Sequence, residues 1–309
     1  MTGLPEGFGG IVPPVCTPLT EDYEIDTKSL ERLICFQLDA GVHGLFMLGS
    51  TSEQALLTDA QRATVLDVAV RTVGGRVPVI AGVIDTTTAP SLDHARVARE
   101  LGVDALVLTA PFYIRPNPDE VVAHFRIVHK AIGLPILAYD IPSAGPPKLA
   151  RATVLRLAHE GLIAGIKDSS GDDANFRGLV LEAQTLPNFA AFTGSELLVD
   201  AALLVGASGS VPGLGNVDPA GYVRIYDAAR AGDWAAARQE QERLYRLFSI
   251  IHCATPGRMG FTAAALGGFK TALVLRGVIA TNVTGRPMTR LNDEETARVR
   301  ALLAEAGLL

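Results

Sequence analysis

The chain has 309 residues, 48% of them apolar, and a formal net charge of −6. That apolar content can fill one large domain or two ordinary ones, and an acidic balance with no basic cluster argues against nucleic acid or an anionic membrane as the main partner. The three cysteines, Cys16, Cys35 and Cys253, are too widely spaced for a disulfide framework or a CxxC metal site, so a reducing, cytoplasmic setting is expected.

The opening segment Met1-Thr2-Gly3-Leu4-Pro5-Glu6-Gly7 has neither a basic n-region nor an apolar h-region, and is not expected to act as a signal peptide. Beyond it, apolar strand-like runs alternate with amphipathic helix-like runs. Strands are expected at 11–17, 44–50, 77–83 and 105–111, followed in turn by helices at 27–40, 58–73, 87–101 and 118–132. The pattern continues with strands at 135–142, 163–169, 189–194 and 209–215 and helices at 150–160, 172–185, 196–205 and 218–231. Eight units with short connections and no Pro/Ser-rich spacer predict an α/β fold, a (β/α)8 TIM barrel over residues 1–232 that carries the catalytic site. Residues 233–309 read as a C-terminal extension of three helices, at 233–251, 260–278 and 292–307, with Gly285-Arg286-Pro287 separating the last two. The uncharged stretch from Ala201 to Val217 contains several glycines and a proline, so it reads as a helix end plus a strand rather than a membrane span.

Ser50, Tyr113, Tyr139, Lys167, Ser195 and Asn216 all fall at or just past the ends of expected strands. That is the catalytic face of a barrel, although a doubly wound sheet also binds ligands there. Lys167 closes the apolar run Leu162-Ile163-Ala164-Gly165-Ile166-Lys167 before the polar turn Asp168-Ser169-Ser170. Burial disfavours the charged form of a lysine, and a neutral amine can attack a carbonyl to form a Schiff base. Alternatively, such a lysine pairs with a carboxylate or snorkels out of the sheet. Gly49-Ser50-Thr51-Ser52-Glu53 presents hydroxyls and backbone N–H groups at a strand-to-helix turn, where they can hold a carboxylate or cap the next helix. Tyr139, in Leu137-Ala138-Tyr139-Asp140-Ile141-Pro142, can relay protons beside a neutral lysine or be an ordinary core tyrosine. Tyr113 lies in Pro111-Phe112-Tyr113-Ile114-Arg115-Pro116, whose two prolines fix an extended loop. The six histidines share no metal-ligand spacing, so no metal site is expected. Gly206-Ala207-Ser208-Gly209-Ser210 matches no phosphate-binding pattern and reads as a tight helix-to-strand connection.

Taken together, Gly49-Ser50-Thr51 with Glu53, Pro111-Phe112-Tyr113-Ile114-Arg115-Pro116, Tyr139-Asp140-Ile141-Pro142 and Gly165-Ile166-Lys167-Asp168 resemble the dihydrodipicolinate synthase / N-acetylneuraminate lyase family of Schiff-base barrels. The resemblance spans nearly the whole chain. It implies that Lys167 forms the imine with the keto carbon of a 2-oxo acid such as pyruvate, that Tyr139 shuttles protons, and that Ser50 and Thr51 hold the carboxylate. Thr51 would also link Tyr139 to a relay completed by Tyr113 across a subunit contact. Gly194 and Val211 match positions where backbone lies against the bound acid, and Ser195 and Glu196 match positions where lyases bind the substrate's hydroxyl chain. Glu196 can equally serve as a helix N-terminal charge. The covalent imine serves as the electron sink, so no cofactor is implied, and relatives suggest a homotetramer built from two tight dimers.

The pattern departs from the synthases at Pro142-Ser143-Ala144-Gly145-Pro146-Pro147. Ala144 stands where they carry an arginine that grips the second substrate's carboxylate, and a lost bidentate clamp is costly for such a substrate. Ser50-Thr51 is closer to the lyase pair than to the synthases' two threonines, Ser52 replaces a usual glycine, and Val211-Pro212-Gly213 is unusually rigid. The expected activity is a class I aldolase or lyase that makes or breaks a C–C bond in a 2-keto-3-deoxy sugar acid or 4-hydroxy-2-oxo acid, giving pyruvate and an aldehyde. The alternatives are dihydrodipicolinate synthase, a dehydratase using the same lysine imine, and a barrel that binds a sugar acid without turning it over.

Overall fold

A computed structural model describes Leu4 and residues 8–309; the reading of residues 1–7 as lacking a signal sequence therefore lies almost wholly outside the described residues. Eight strands alternate with helices: β1 (Gly10–Ile11), α1 (Thr27–Asp39), β2 (Leu45–Met47), α2 (Asp59–Val73), β3 (Val79–Gly82), α3 (Thr88–Glu100), β4 (Ala105–Thr109) and α4 (Pro118–Ile132). The second half adds β5 (Ile136–Asp140), α5 (Arg151–His159), β6 (Gly165–Asp168), α6 (Asp173–Ala183), β7 (Ala190–Thr193), α7 (Val199–Leu204), β8 (Gly209–Ser210) and α8 (Pro219–Arg230). Three more helices follow: α9 (Trp234–Leu247), α10 (Phe261–Leu275) and α11 (Asp293–Glu305). All strand pairs are parallel, in the order β1-β8-β7-β6-β5-β4-β3-β2. The ring closes where Val15 N donates to Phe46 O (2.9 Å) and Phe46 N to Pro13 O (3.0 Å). The fold is a (β/α)8 barrel with C-terminal helices.

Alternation along each strand decides what faces the barrel interior. In β5, Leu137 and Tyr139 join Phe46, Val107, Phe192 and Val211 in one inner apolar cluster, whereas Ile136 and Ala138 belong to the larger shell shared with the helices. The same alternation in β6 sends Ile166 outward. Register then aligns Tyr139 with Lys167, and Lys167 with Phe192.

The helices begin where local chemistry supplies caps. Thr58 with Gln61, Asn117 with Glu120, and Asn292 with Glu295 form capping boxes at α2, α4 and α11. Pro118 and Pro219 occupy first-turn positions, where a missing N–H does no harm.

Several boundaries differ from the sequence reading. The first strand is Gly10–Ile11 rather than 11–17, because Pro13 and Pro14 lack N–H groups for a ladder. The eighth is Gly209–Ser210 rather than 209–215, because Pro212 leads into a 3₁₀ turn over Gly213–Asn216. In the seventh unit the helix starts at Val199 rather than 196. Gln241 from α9 accepts from Val199 N (2.8 Å) and donates to Glu196 O (3.0 Å), a cap supplied from another helix. The stretch expected as one helix at 233–251 is α9 followed by a 3₁₀ segment, Phe248–His252.

Among the described residues, no helix is long and apolar enough to cross a membrane, and no group of three or more His, Cys, Asp or Glu side chains is placed to hold a metal ion. Cys16, Cys35 and Cys253 are free thiols. Gly206, at φ +99°, turns the chain from α7 into β8, as expected for a tight connection.

Candidate active site at the strand C-terminal ends

Lys167 emerges from β6 into the barrel mouth and is only 5% exposed. Its Nζ lies 4.3 Å from the Tyr139 ring centroid and 5.0 Å from that of Phe46. It makes no hydrogen bond or ion pair among the described residues; the Tyr139 and Phe46 rings cover it, and Glu196 is near enough to feel its charge. Tyr139 is itself 2% exposed and meets Phe46 edge to face at 6.1 Å. The amine and phenol predicted to act together are thus neighbours, brought there by the β5–β6 register.

The turn after β2 is shaped by internal bonds. Ser52 Oγ accepts from Gly49 N (3.1 Å), and Ser52 O accepts from Thr17 Oγ1 (2.7 Å). Glu53 adopts φ 60°, a left-handed conformation unusual for a non-glycine residue. Its carboxylate is ion-paired with Lys270 of α10 and accepts from Gly285 N (2.5 Å). Lys270 in turn donates to Val283 O (2.7 Å). Glu53 is therefore a brace that fixes the turn against the C-terminal helices, and it leaves Ser50 exposed and Thr51 half-buried at the mouth. Thr51 and Glu196 converge on Gly213. A Cβ there would lie 3.4 Å from Thr51 Oγ1 and 3.0 Å from Glu196 Oε1.

Glu196 accepts a short hydrogen bond from Leu214 N. Burial pushes its carboxyl up to about 7, against the opposing pull of Leu214 N–H and the Lys167 charge. Its carboxylate is thus turned toward the turn after β8. Ser195 lines a separate small cavity of about 110 Å³ with Asp168, Ser169, Asp172 and Asp173. Gly194 lies between: a side chain there would overlap Ser169 Oγ, so the backbone must pass bare. Val211 is 3% exposed and belongs to the inner cluster with Tyr139. Tyr113 stands apart from all of these. It is 96% exposed at φ 68°, a strained backbone that presents the phenol to solvent within one chain.

Some residues that shape the site carry no motif of their own. Phe46 supplies one of the two rings beside Lys167 yet reads in sequence as one more strand apolar. Asp140 holds the loop after β5 by accepting from Lys148 Nζ (2.6 Å) and Leu149 N (3.0 Å), while burial raises its carboxyl from the ordinary range. Cys16 lies near the Glu53–Lys270 pair, and burial pushes its thiol up to about 12, which removes it as a nucleophile near neutral pH. Asn216 is saturated by Cys16 N, Gln37 Nε2, Pro14 O and Gly213 O, and is structural.

Beside the Tyr139 cluster lies a cavity of about 410 Å³, large enough for a small molecule. Its wall includes Ser50, Ile84, Thr109, Phe112, Ile141 and Ala144. Ile84 and Tyr139 share the inner cluster, Phe112 and Ile141 pack against it, and Thr109 pairs in register with Tyr139. The cavity and the lysine thus occupy adjacent parts of one mouth.

The profile of the dihydrodipicolinate synthetase family matches residues 7–306. A protein of Halobacterium salinarum described as an uncharacterized DapA-like lyase is 35% identical over 308 residues, covering 100% of this chain and 97% of that one. The 4-hydroxy-tetrahydrodipicolinate synthase of Desulfotalea psychrophila is 32% identical, covering 100% and 99%. Among solved structures, the YagE protein of E. coli K12 in complex with pyruvate superposes with a TM-score of 0.91 at 29% identity, covering 98% of this chain and 99% of its own.

Proposed function

The chain belongs to the dihydrodipicolinate synthetase family, and from that premise we propose that it is a class I aldolase that makes or breaks the C3–C4 bond of a 4-hydroxy-2-oxo acid. Members of the family are lyases that work without a separate cofactor, through a lysine imine with pyruvate. The observation that carries the reading is Lys167 itself: a buried amine at the barrel mouth, stacked on Tyr139 and Phe46 and bound to no carboxylate. Its nitrogen attacks C2 of the oxo acid, and loss of water gives the imine. The protonated imine draws electrons from the C3–C4 bond as it breaks. Tyr139, which has given its phenol proton to the hydroxyl that left as water, takes up the C4 hydroxyl proton as a phenolate, and C4 leaves as an aldehyde carbonyl. The enamine is then protonated at C3, and water releases pyruvate. Ser50 and Thr51 hold the carboxylate, with the backbone at Gly194 and Val211 against the bound acid.

Treatment with pyruvate and borohydride should label Lys167, as read by peptide mapping. A label elsewhere, or none with any 2-oxo acid, removes the imine reading.

The exposed Tyr113 supports a further element of the proposal, a homotetramer in which this loop enters a neighbour's site. Hybrids of inactive Tyr113→Phe and inactive Lys167→Ala chains should then recover part of the activity, since a mixed dimer rebuilds one intact site. A fully active monomer in sedimentation would refute the shared site. Dihydrodipicolinate synthase activity is disfavoured, because Ala144 stands in the cavity wall where a carboxylate-bearing partner needs a cation.

A further inference from the structure

The family and its lysine specify the pyruvate half of the substrate; the cavity beside Tyr139 bears on the other half. Its apolar walls come from several separate parts of the chain, among them Ile84 after β3, Phe112 after β4, Ile141 and Ala144 after β5, Leu266 of α10 and Met288 of the α10–α11 connection. Among the described residues, Glu53 is the only charged one that lines it, and that carboxylate is already engaged by Lys270 and Gly285 N. Among the described residues, no arginine, lysine or histidine lines it. Two polar atoms of lining residues, Thr109 Oγ1 and Gln54 Oε1, are buried without a hydrogen-bond partner. Ser50 and Thr262 add exposed hydroxyls, so the cavity offers a few hydrogen bonds beside a largely apolar wall.

A polyhydroxylated chain brings one donor and acceptor per carbon into such a space. Each hydroxyl left unpaired there carries a desolvation penalty of about 1–3 kcal/mol. A carboxylate would find no cation at all. Neither residue that sequence reasoning offered to a hydroxyl chain lines this cavity: Ser195 lines the smaller one, and Glu196 lies by Thr51 with its carboxylate bound to Leu214 N–H. An alkyl or aryl group brings no hydroxyl of its own that must be paired, and its burial against the apolar wall is favourable; Thr109 Oγ1 and Gln54 Oε1 stay as they are without it.

Resting on the imine reading above, we propose that the acceptor is an aldehyde bearing an apolar substituent, so that the full substrate is a 4-hydroxy-2-oxo acid with an alkyl or aryl group on C4. In the synthetic direction the enamine carbon of the Lys167–pyruvate adduct attacks the aldehyde carbon. One C–C bond forms and the C=O bond becomes a C–OH that takes one proton. Water then cleaves the imine, restoring the lysine amine and releasing the 4-hydroxy-2-oxo acid. Aldehyde plus pyruvate equals product, with no oxidant or reductant consumed.

The test uses the purified full-length enzyme with pyruvate and three aldehydes: benzaldehyde, glyceraldehyde and aspartate semialdehyde. Borohydride trapping of Lys167 is run alongside. The expected result is trapping with pyruvate and a kcat/KM for benzaldehyde at least tenfold above that for the other two. Ile141→Thr, a polar replacement at a half-buried wall position, should lower kcat/KM for benzaldehyde by roughly 10-fold, within the range set by a change in one hydrophobic contact. Trapping should be unchanged in this variant. Trapping with glyceraldehyde or aspartate semialdehyde used as well as benzaldehyde overturns the acceptor assignment and leaves the imine reading standing. No trapping in the parent enzyme overturns the imine reading and, with it, this proposal. An Ile141→Thr enzyme that traps normally and keeps the full benzaldehyde preference also removes the cavity as its cause.

Discussion

Lys167 and Lys270 are both buried, at 5% and 0% exposure, and their surroundings are opposite. Lys270 lies inside α10 with its charge met by the Glu53 carboxylate and the Val283 carbonyl. Lys167, next to the end of β6, lies over two aromatic rings, and among the described residues no carboxylate or carbonyl is bound to it. A buried lysine that is fully paired holds the chain together, whereas one left without a partner at a cavity mouth keeps its nitrogen available for chemistry. The two are also connected. Lys270 fixes Glu53, and Glu53 fixes the strained turn that presents Ser50 and Thr51 to the site of Lys167.

The comparison can be broken at the reactive end. Tyr139→Phe removes the hydroxyl next to Lys167 but keeps the ring that covers it. Turnover should fall roughly 10²–10⁴-fold, with unfolding by denaturant almost unchanged. Activity within a few-fold of the parent would exclude Tyr139 from proton transfer.

At the structural end, Lys270→Met leaves Glu53 buried and uncompensated. Equilibrium unfolding should show a loss of about 3–5 kcal/mol. Pyruvate and borohydride should still label Lys167 in whatever fraction stays folded. Adding Glu53→Leu should return part of the stability, since two apolar groups leave no charge stranded. If Lys270→Met abolishes labelling of a well-folded protein, the division between the two lysines is wrong.

The smallest effect sharpens the contrast between two carboxylates. Burial raises Glu196 to about 7 from an ordinary 4.5, whereas the Arg258 ion pair holds Glu295 down at about 2. Between about 4.5 and 7 the folded protein keeps a proton on Glu196 that the unfolded chain has lost, so this group makes stability fall as pH rises. Glu295 has the reverse sign: its contribution is present above about 4.5 and is lost as pH falls toward 2. Glu196→Gln should flatten the decline in unfolding midpoint between pH 5 and 7 and leave the acid limb intact. An unchanged slope would mean that Glu196 does not titrate in that window.

The alternation of apolar runs and helical patterns was enough to predict eight βα units, because each strand of a parallel barrel is buried on both faces and each helix on one. It failed at β1 and β8, where Pro13, Pro14 and Pro212 remove ladder donors and two two-residue strands stand in place of longer ones. It also misplaced the start of α7, whose cap is a glutamine from a helix some forty residues on. Local sequence contains no trace of a cap supplied from that distance.

For the candidate site the division follows the same line. Sequence alone marked Lys167, Tyr139 and the Ser50-Thr51 turn, since each combines a reactive side chain with the end of an apolar run. It also marked Glu53, but not its function, because its partner Lys270 is more than two hundred residues away and looks like any lysine in a helix. Phe46, Ile84 and Ile141 were invisible as site residues, because apolar side chains on strands and loops look alike until packing decides which of them face a cavity. Candidates that depend on residue type and local spacing were therefore legible in the sequence, whereas pairing, exposure and the shape of the cavity beside Tyr139 arise only from contacts between distant segments, and the tertiary structure alone decided them.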